Sequence, residues 1–130
     1  MAAATGGEER ILLVEDEPAV RKFVRSMLEK QGYTVIESVD TDDALRIAAD
    51  DSVPIDLLLT DVIMPRLNGP ELAERVTALR PAIKVLYMSG YTDRAVRLQD
   101  RLGGDSHFIQ KPFTPAELVE KVGAVLSSSP

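Results

Sequence analysis

Ile11-Leu12-Leu13-Val14-Glu15-Asp16-Glu17-Pro18-Ala19-Val20 holds the unit from which the rest of the chain is built. Four apolar residues in succession, without polar alternation, read as a strand buried on both faces. Three acids follow, and then Pro18, which suits the first turn of a helix. Val20, Phe23, Val24, Met27 and Leu28 recur at i, i+3, i+4, i+7 and i+8, the stripe of a helix packed on a core, and Gly32 marks its stop.

The same alternation runs outward from there. Thr34-Val35-Ile36 reads as a second strand, Ile55-Asp56-Leu57-Leu58-Leu59-Thr60 as a third, Ile83-Lys84-Val85-Leu86-Tyr87-Met88 as a fourth and Phe108-Ile109-Gln110 as a fifth. A second helix is marked by Ala44, Leu45 and Ala48 behind a candidate cap at Thr41. A third is marked by Leu72, Val76 and Leu79 and closed by Pro81; a fourth by Ala95, Leu98 and Leu102, ending at Gly103-Gly104. The fifth has a capping box in Thr114 and Glu117, Pro115 at its first position, and Leu118, Val122 and Val125 on one face. Five βα units of this kind predict an α/β fold, a parallel sheet with helices on both faces. Periodicity does not give the strand order.

Bulk properties agree with one globular domain. The chain has 130 residues, 45% hydrophobic and 28% charged, enough for a core without covalent staples. It has no cysteine, so it offers no disulfide, no thiolate nucleophile and no Cys-ligated zinc, which suits a reducing, cytoplasmic setting. The net charge of −6 argues against direct nucleic-acid binding, which needs a basic face. No apolar run approaches the roughly 20 residues that span a bilayer. Residues 1–9 are small and acidic and read as a disordered lead-in without a secretion signal; residues 10–126 form the domain, and residues 127–130 a tail.

In an open parallel sheet, ligands bind beyond the C-terminal strand ends. Glu15-Asp16-Glu17 follow the first strand, Asp61 the third, Ser89-Gly90 the fourth and Lys111-Pro112 the fifth. Each alone has an ordinary explanation: Asp61 as a helix cap or loop charge, Lys111 as a surface lysine, Ser89 as a turn residue, the acids as partners of the positive end of the first helix. Four strand ends with complementary groups point instead to one site. Carboxylates without His or Cys favour Mg²⁺ over zinc, and Mg²⁺ bridges carboxylates to phosphate. A carboxylate at its reference pKa of about 4 is ionised at neutral pH and attacks phosphorus without a general base. Lys111 and the metal would offset charge on the transferring oxygens, and Ser89 would donate a hydrogen bond to them. His107, the only histidine, opens the fifth strand and reads as structural.

With Asp61-Val62-Ile63-Met64-Pro65-Arg66-Leu67-Asn68-Gly69 as the most specific run, supported in order by Glu15-Asp16, Met88-Ser89-Gly90-Tyr91 and Lys111-Pro112-Phe113, the chain resembles the response-regulator receiver domains, the CheY-like family, from about Arg10 to Leu126. The resemblance implies a three-layer (βα)5 flavodoxin-like fold with strand order 2-1-3-4-5. It implies that Asp61 is the phosphoacceptor, and that Mg²⁺ is held by Asp16, Asp61 and the Ile63 carbonyl, with Glu15 acting through water. Ser89 stands at the switch hydroxyl, Lys111 at the family's lysine, and Phe108 at the switch aromatic, here without a hydroxyl. A cis bond before Pro112 would aim Lys111 into the site. Ile63 and Tyr91 stand where the family tunes loss of the phosphoryl group; both are bulky, which implies a lifetime away from the shortest end.

The resemblance further implies a two-component or phosphorelay module, not a turnover enzyme beyond assisting its own phosphotransfer and dephosphorylation. Its donor would be a sensor histidine kinase or a histidine phosphotransfer domain. Phosphorylation would switch partner binding, or homodimer formation, on the face of the fourth helix, fifth strand and fifth helix. Met88-Ser89-Gly90-Tyr91 and Phe108-Ile109-Gln110-Lys111-Pro112-Phe113 look most like receivers attached to hybrid kinases. Two rivals fit poorly. An aspartyl phosphohydrolase of the haloacid-dehalogenase type needs an Asp-x-Asp pair after the first strand, where Glu-Asp-Glu stands. A flavin module needs a phosphate-binding loop there, and acids repel phosphate. A receiver-like interaction domain without phosphorylation would not need the full set of acids, hydroxyl and lysine.

Overall fold

Leu57, Leu58 and Leu59 are all fully buried, so this strand has apolar neighbours on both faces, each side chain contributing about 1.5–3 kcal/mol by burial. The computed structural model describes residues 9–63, 68–90 and 107–127. The strands are β1 (Arg10–Val14), β2 (Thr34–Ser38), β3 (Leu57–Asp61), β4 (Lys84–Ser89) and β5 (His107–Gln110). The helices are α1 (Pro18–Lys30), α2 (Thr41–Ala48), α3 (Gly69–Leu79) and α4 (Pro115–Ser127), the last being the fifth helix of the sequence pattern. The expected helix at Ala95, Leu98 and Leu102 lies outside the described residues, as do Tyr91 and the Met64–Leu67 part of the acidic motif.

All strands are parallel, in the order β2-β1-β3-β4-β5, as the resemblance implied. Strand alternation splits the core into two layers. Ile11, Leu13, Leu57, Leu59 and Met88 pack with Val24 and Leu28 of α1 and with Leu118, Val122 and Val125 of α4. Leu12, Val14, Leu58 and Tyr87 pack with Ala44, Ile47 and Ala48 of α2 and with Leu72, Ala73 and Val76 of α3.

Local chemistry sets the helix ends. Gly32 has φ 96°, a left-handed conformation that glycine takes without a Cβ penalty, and α1 stops there. Thr114 and Glu117 form the reciprocal capping box that opens α4, with N–H···O distances of 3.1 and 2.8 Å. The cap of α2 differs from expectation. Asp40 takes that role, its side chain accepting from the Asp43 N–H at 2.8 Å, while Thr41 is the first helical residue. β3 also sits later than the apolar run suggests: Ile55 is buried but precedes the strand, and Asp61 is its last residue, paired with Met88.

Candidate functional site

The sheet register brings the predicted groups to one edge. Val14 pairs with Thr60, so Glu15 and Asp61 each stand one position farther on, side by side. Asp61 pairs with Met88, and Ser89 with Gln110, so Ser89 and Lys111 extend the same edge. Glu15 is 1% exposed and Asp61 5% exposed, whereas Asp16 is exposed. One carboxylate oxygen from each of these acids lies within 4.8 Å of the others. The Lys111 Nζ donates to Asp61 Oδ1 at 2.5 Å and to Glu15 Oε1 at 3.0 Å. The second Glu15 oxygen accepts the Glu17 N–H at 3.0 Å, and Arg21 Nη1 donates to the Glu15 carbonyl at 2.7 Å.

These contacts divide the charge unequally. Burial pushes the Asp61 carboxyl up, the hydrogen bond and negative charge of Glu15 push it further, and Lys111 opposes both, leaving it at about 8. Burial also works against ionised Glu15, but its bonds to Asp61 and Lys111 and the lysine charge outweigh it and hold Glu15 below the ordinary range. Lys111 loses solvation by burial, yet Asp61 and Glu15 more than compensate and raise it. Without a metal, the Asp61 carboxyl is thus pushed well above the reference value of about 4 from which its ionisation at neutral pH was expected, because two adjacent buried carboxyls disfavour a second negative charge.

The raised value gives a pH dependence with a definite sign. Between the unfolded carboxyl value of about 4 and the folded value of about 8, the folded protein holds a proton that the unfolded chain has released, so stability falls as pH rises across this window. The lowered Glu15 stabilises throughout that window and loses its effect only at acid pH, and the raised Lys111 loses its effect only at alkaline pH. Urea midpoints of the metal-free protein are expected to drop between pH 6 and pH 8.5. A midpoint that rises over this range would contradict the proton shared by Glu15 and Asp61.

The donor set fits Mg²⁺. It is made of oxygens, combines buried and exposed carboxylates, and carries a repulsion between Glu15 and Asp61 that Lys111 does not fully cancel. Ile63 lies in the bend directly after β3, half-buried. The Lys111-Pro112 bond is cis. Ser89 is 1% exposed, and its carbonyl accepts from the Lys111 N–H at 2.8 Å and from Gln110 Nε2 at 2.7 Å. Phe108 stacks on Tyr87, with ring centroids 5.3 Å apart and an interplanar angle of 29°.

Several contributors were not singled out from sequence. Gly69 was quoted only as part of a motif, yet a Cβ on it would lie 2.1 Å from the Asp61 carbonyl oxygen. The Gly69 N–H donates to the Val62 carbonyl at 2.8 Å, and Asn68 and Glu71 cap α3 reciprocally. This glycine lets the start of α3 press against the end of β3. Nothing local in the sequence marks Arg21 or Gln110 as a side chain aimed at a distant carbonyl.

Residues 11–123 match the family model described as response regulator receiver domain. The response regulator receiver protein CpdR of Brucella abortus (strain 2308) is 34% identical over 118 residues, covering 91% of this chain and 97% of CpdR. The sensor kinase CckA of the same organism is 34% identical over 125 residues, covering 96% of this chain, which spans only 13% of that kinase. The crystal structure of the receiver domain from the hybrid histidine kinase CckA superposes with a TM-score of 0.76 at 36% identity, covering 91% of this chain and 99% of the domain.

Proposed function

The chain belongs to the response regulator receiver domain family of two-component signalling, and from that membership we propose that it accepts a phosphoryl group from a phosphohistidine onto Asp61 in the presence of Mg²⁺. The observation that carries this reading is the Lys111 ammonium bonded to both Asp61 and Glu15 inside a cluster of carboxylates at the sheet edge. Asp61 would attack phosphorus through one carboxylate oxygen. A P–O bond forms, the P–N bond of the donor breaks, and its electron pair leaves with the imidazole, whose other ring nitrogen carries the proton. Lys111, already at Asp61, would exchange a carboxylate for a phosphoryl oxygen, and Ser89 would donate its hydroxyl to another.

Asp16, Asp61 and the Ile63 carbonyl would hold the Mg²⁺, with Glu15 acting through water. When bound, the ion would supply positive charge that favours ionised Asp61 and offsets the charge on the phosphoryl oxygens. Phosphorylation would bias a two-state equilibrium that involves Ser89 and Phe108 and would be read by a protein partner across the helix expected at Ala95, Leu98 and Leu102, β5 and α4. Ile63 and Tyr91 would shield the acyl phosphate from water. A histidine kinase or histidine phosphotransfer domain would supply the phosphate, in keeping with the kinase relatives. Among the described residues no helix is long and apolar enough to cross a membrane.

Incubation with acetyl phosphate tests the reading. Intact mass is expected to show a single labile phosphoryl adduct with Mg²⁺ and little or none after chelation. An adduct indifferent to Mg²⁺ would remove the metal from the reaction.

A further inference from the structure

Ser89 ends β4, and the residue after it imposes no steric restraint: a Cβ at Gly90 would meet nothing within 4 Å. The hydroxyl that would meet an incoming phosphoryl group therefore stands next to a residue with no side chain of its own to pack and hold the strand end. Hydrogen bonds supply the restraint. The Ser89 carbonyl accepts the Lys111 N–H at 2.8 Å, the bond expected where β4 and β5 run on in register. It also accepts Gln110 Nε2 at 2.7 Å, and the same amide group reaches the Lys111 carbonyl at 3.4 Å. Both lone pairs of the Ser89 carbonyl are thus engaged, and one side chain ties the last residue of β4 to the residue that carries the ammonium.

Resting on the phosphoacceptor reading above, we propose that Gln110 is a positioning residue that fixes the Ser89 carbonyl, and through it the Ser89 hydroxyl, for contact with the phosphoryl group on Asp61. Gln110 lies on the outermost strand at that edge of the sheet and is exposed, so its substitution leaves both core layers intact. Its described side-chain hydrogen bonds go to the Ser89 and Lys111 carbonyls.

The test uses the whole chain with acetyl phosphate and saturating Mg²⁺. Gln110→Glu keeps the shape of the side chain but presents oxygen to the carbonyl; Gln110→Ala removes the group; Gln110→Arg restores an N–H donor. The first two are expected to take up phosphoryl about fivefold more slowly than wild type, as befits loss of one hydrogen bond, with Mg²⁺ affinity unchanged and the rate restored in Gln110→Arg. In a Ser89→Ala background, where no hydroxyl remains to be positioned, Gln110→Glu is expected to add less than about a twofold effect. Equal slowing in both backgrounds, an unchanged rate, or no rescue by arginine would overturn the proposal. Wild type that forms no adduct would overturn the phosphoacceptor reading, and this one with it.

Discussion

Asp61→Asn is expected to take up no phosphoryl group from acetyl phosphate under conditions in which wild type forms its adduct, a loss of at least about a thousandfold, as for removal of a nucleophile. The reason is local. Asp61 is the buried carboxylate to which Lys111 donates at 2.5 Å, and an amide of the same size has only a neutral, weakly nucleophilic oxygen in place of the carboxylate. Asp16, though near, is exposed and makes no described ion pair with Lys111. Asparagine also removes the carboxyl whose ionisation Glu15 opposes, so the metal-free variant should fold, with an unchanged far-UV circular dichroism spectrum. A folded variant that still forms the adduct as wild type does would take Asp61 out of its assigned role.

Gly69→Ala is expected to destabilise the domain by about 3 kcal/mol or more, the scale of a backbone forced apart inside a packed region. The new Cβ would sit 2.1 Å from the Asp61 carbonyl oxygen and 3.1 Å from Val62 Cα. Neither is the far end of a flexible side chain, so either α3 must back away, breaking the Gly69 N–H bond to Val62, or the end of β3 must yield. Since that end carries Asp61, Mg²⁺ affinity should weaken alongside the urea midpoint. Gly90→Ala is the control: with open space around it, its stability should stay within about 0.5 kcal/mol of wild type. Equal urea midpoints for Gly69→Ala and wild type would show that the close approach is not rigid.

The sequence made the βα alternation legible because a doubly covered parallel strand leaves consecutive apolar residues, as in Ile11 to Val14 and Leu57 to Leu59. It also made Glu15, Asp61, Ser89 and Lys111 legible as neighbours, since residues just past parallel strands must share an edge. Strand order was not legible from periodicity, which reports which way a side chain faces and not which strand lies alongside; the family resemblance supplied it. The cap of α2 was misread by one residue because Asp40 and Thr41 are both good caps, and only the extended backbone of Asp40 decides between them. The upward push on the Asp61 carboxyl was not legible because a reference pKa contains neither burial nor Glu15. Gln110 escaped notice for a related reason: a glutamine at a strand end looks solvated until the carbonyl it bonds is seen.

The stack of Tyr87 on Phe108 gives this domain an optical channel of its own. The chain has three tyrosines and no tryptophan, so ultraviolet emission and near-ultraviolet dichroism come from tyrosine without a brighter chromophore masking it. Tyr87 is buried against the ring and lies two residues before Ser89 on the same face of β4. Movement of Phe108 would change the polarity and asymmetry around that phenol, and so its signal. The unlabelled protein therefore carries a reporter beside Phe108 and Ser89, the residues proposed to respond to phosphorylation, one that can be followed in real time in a cuvette.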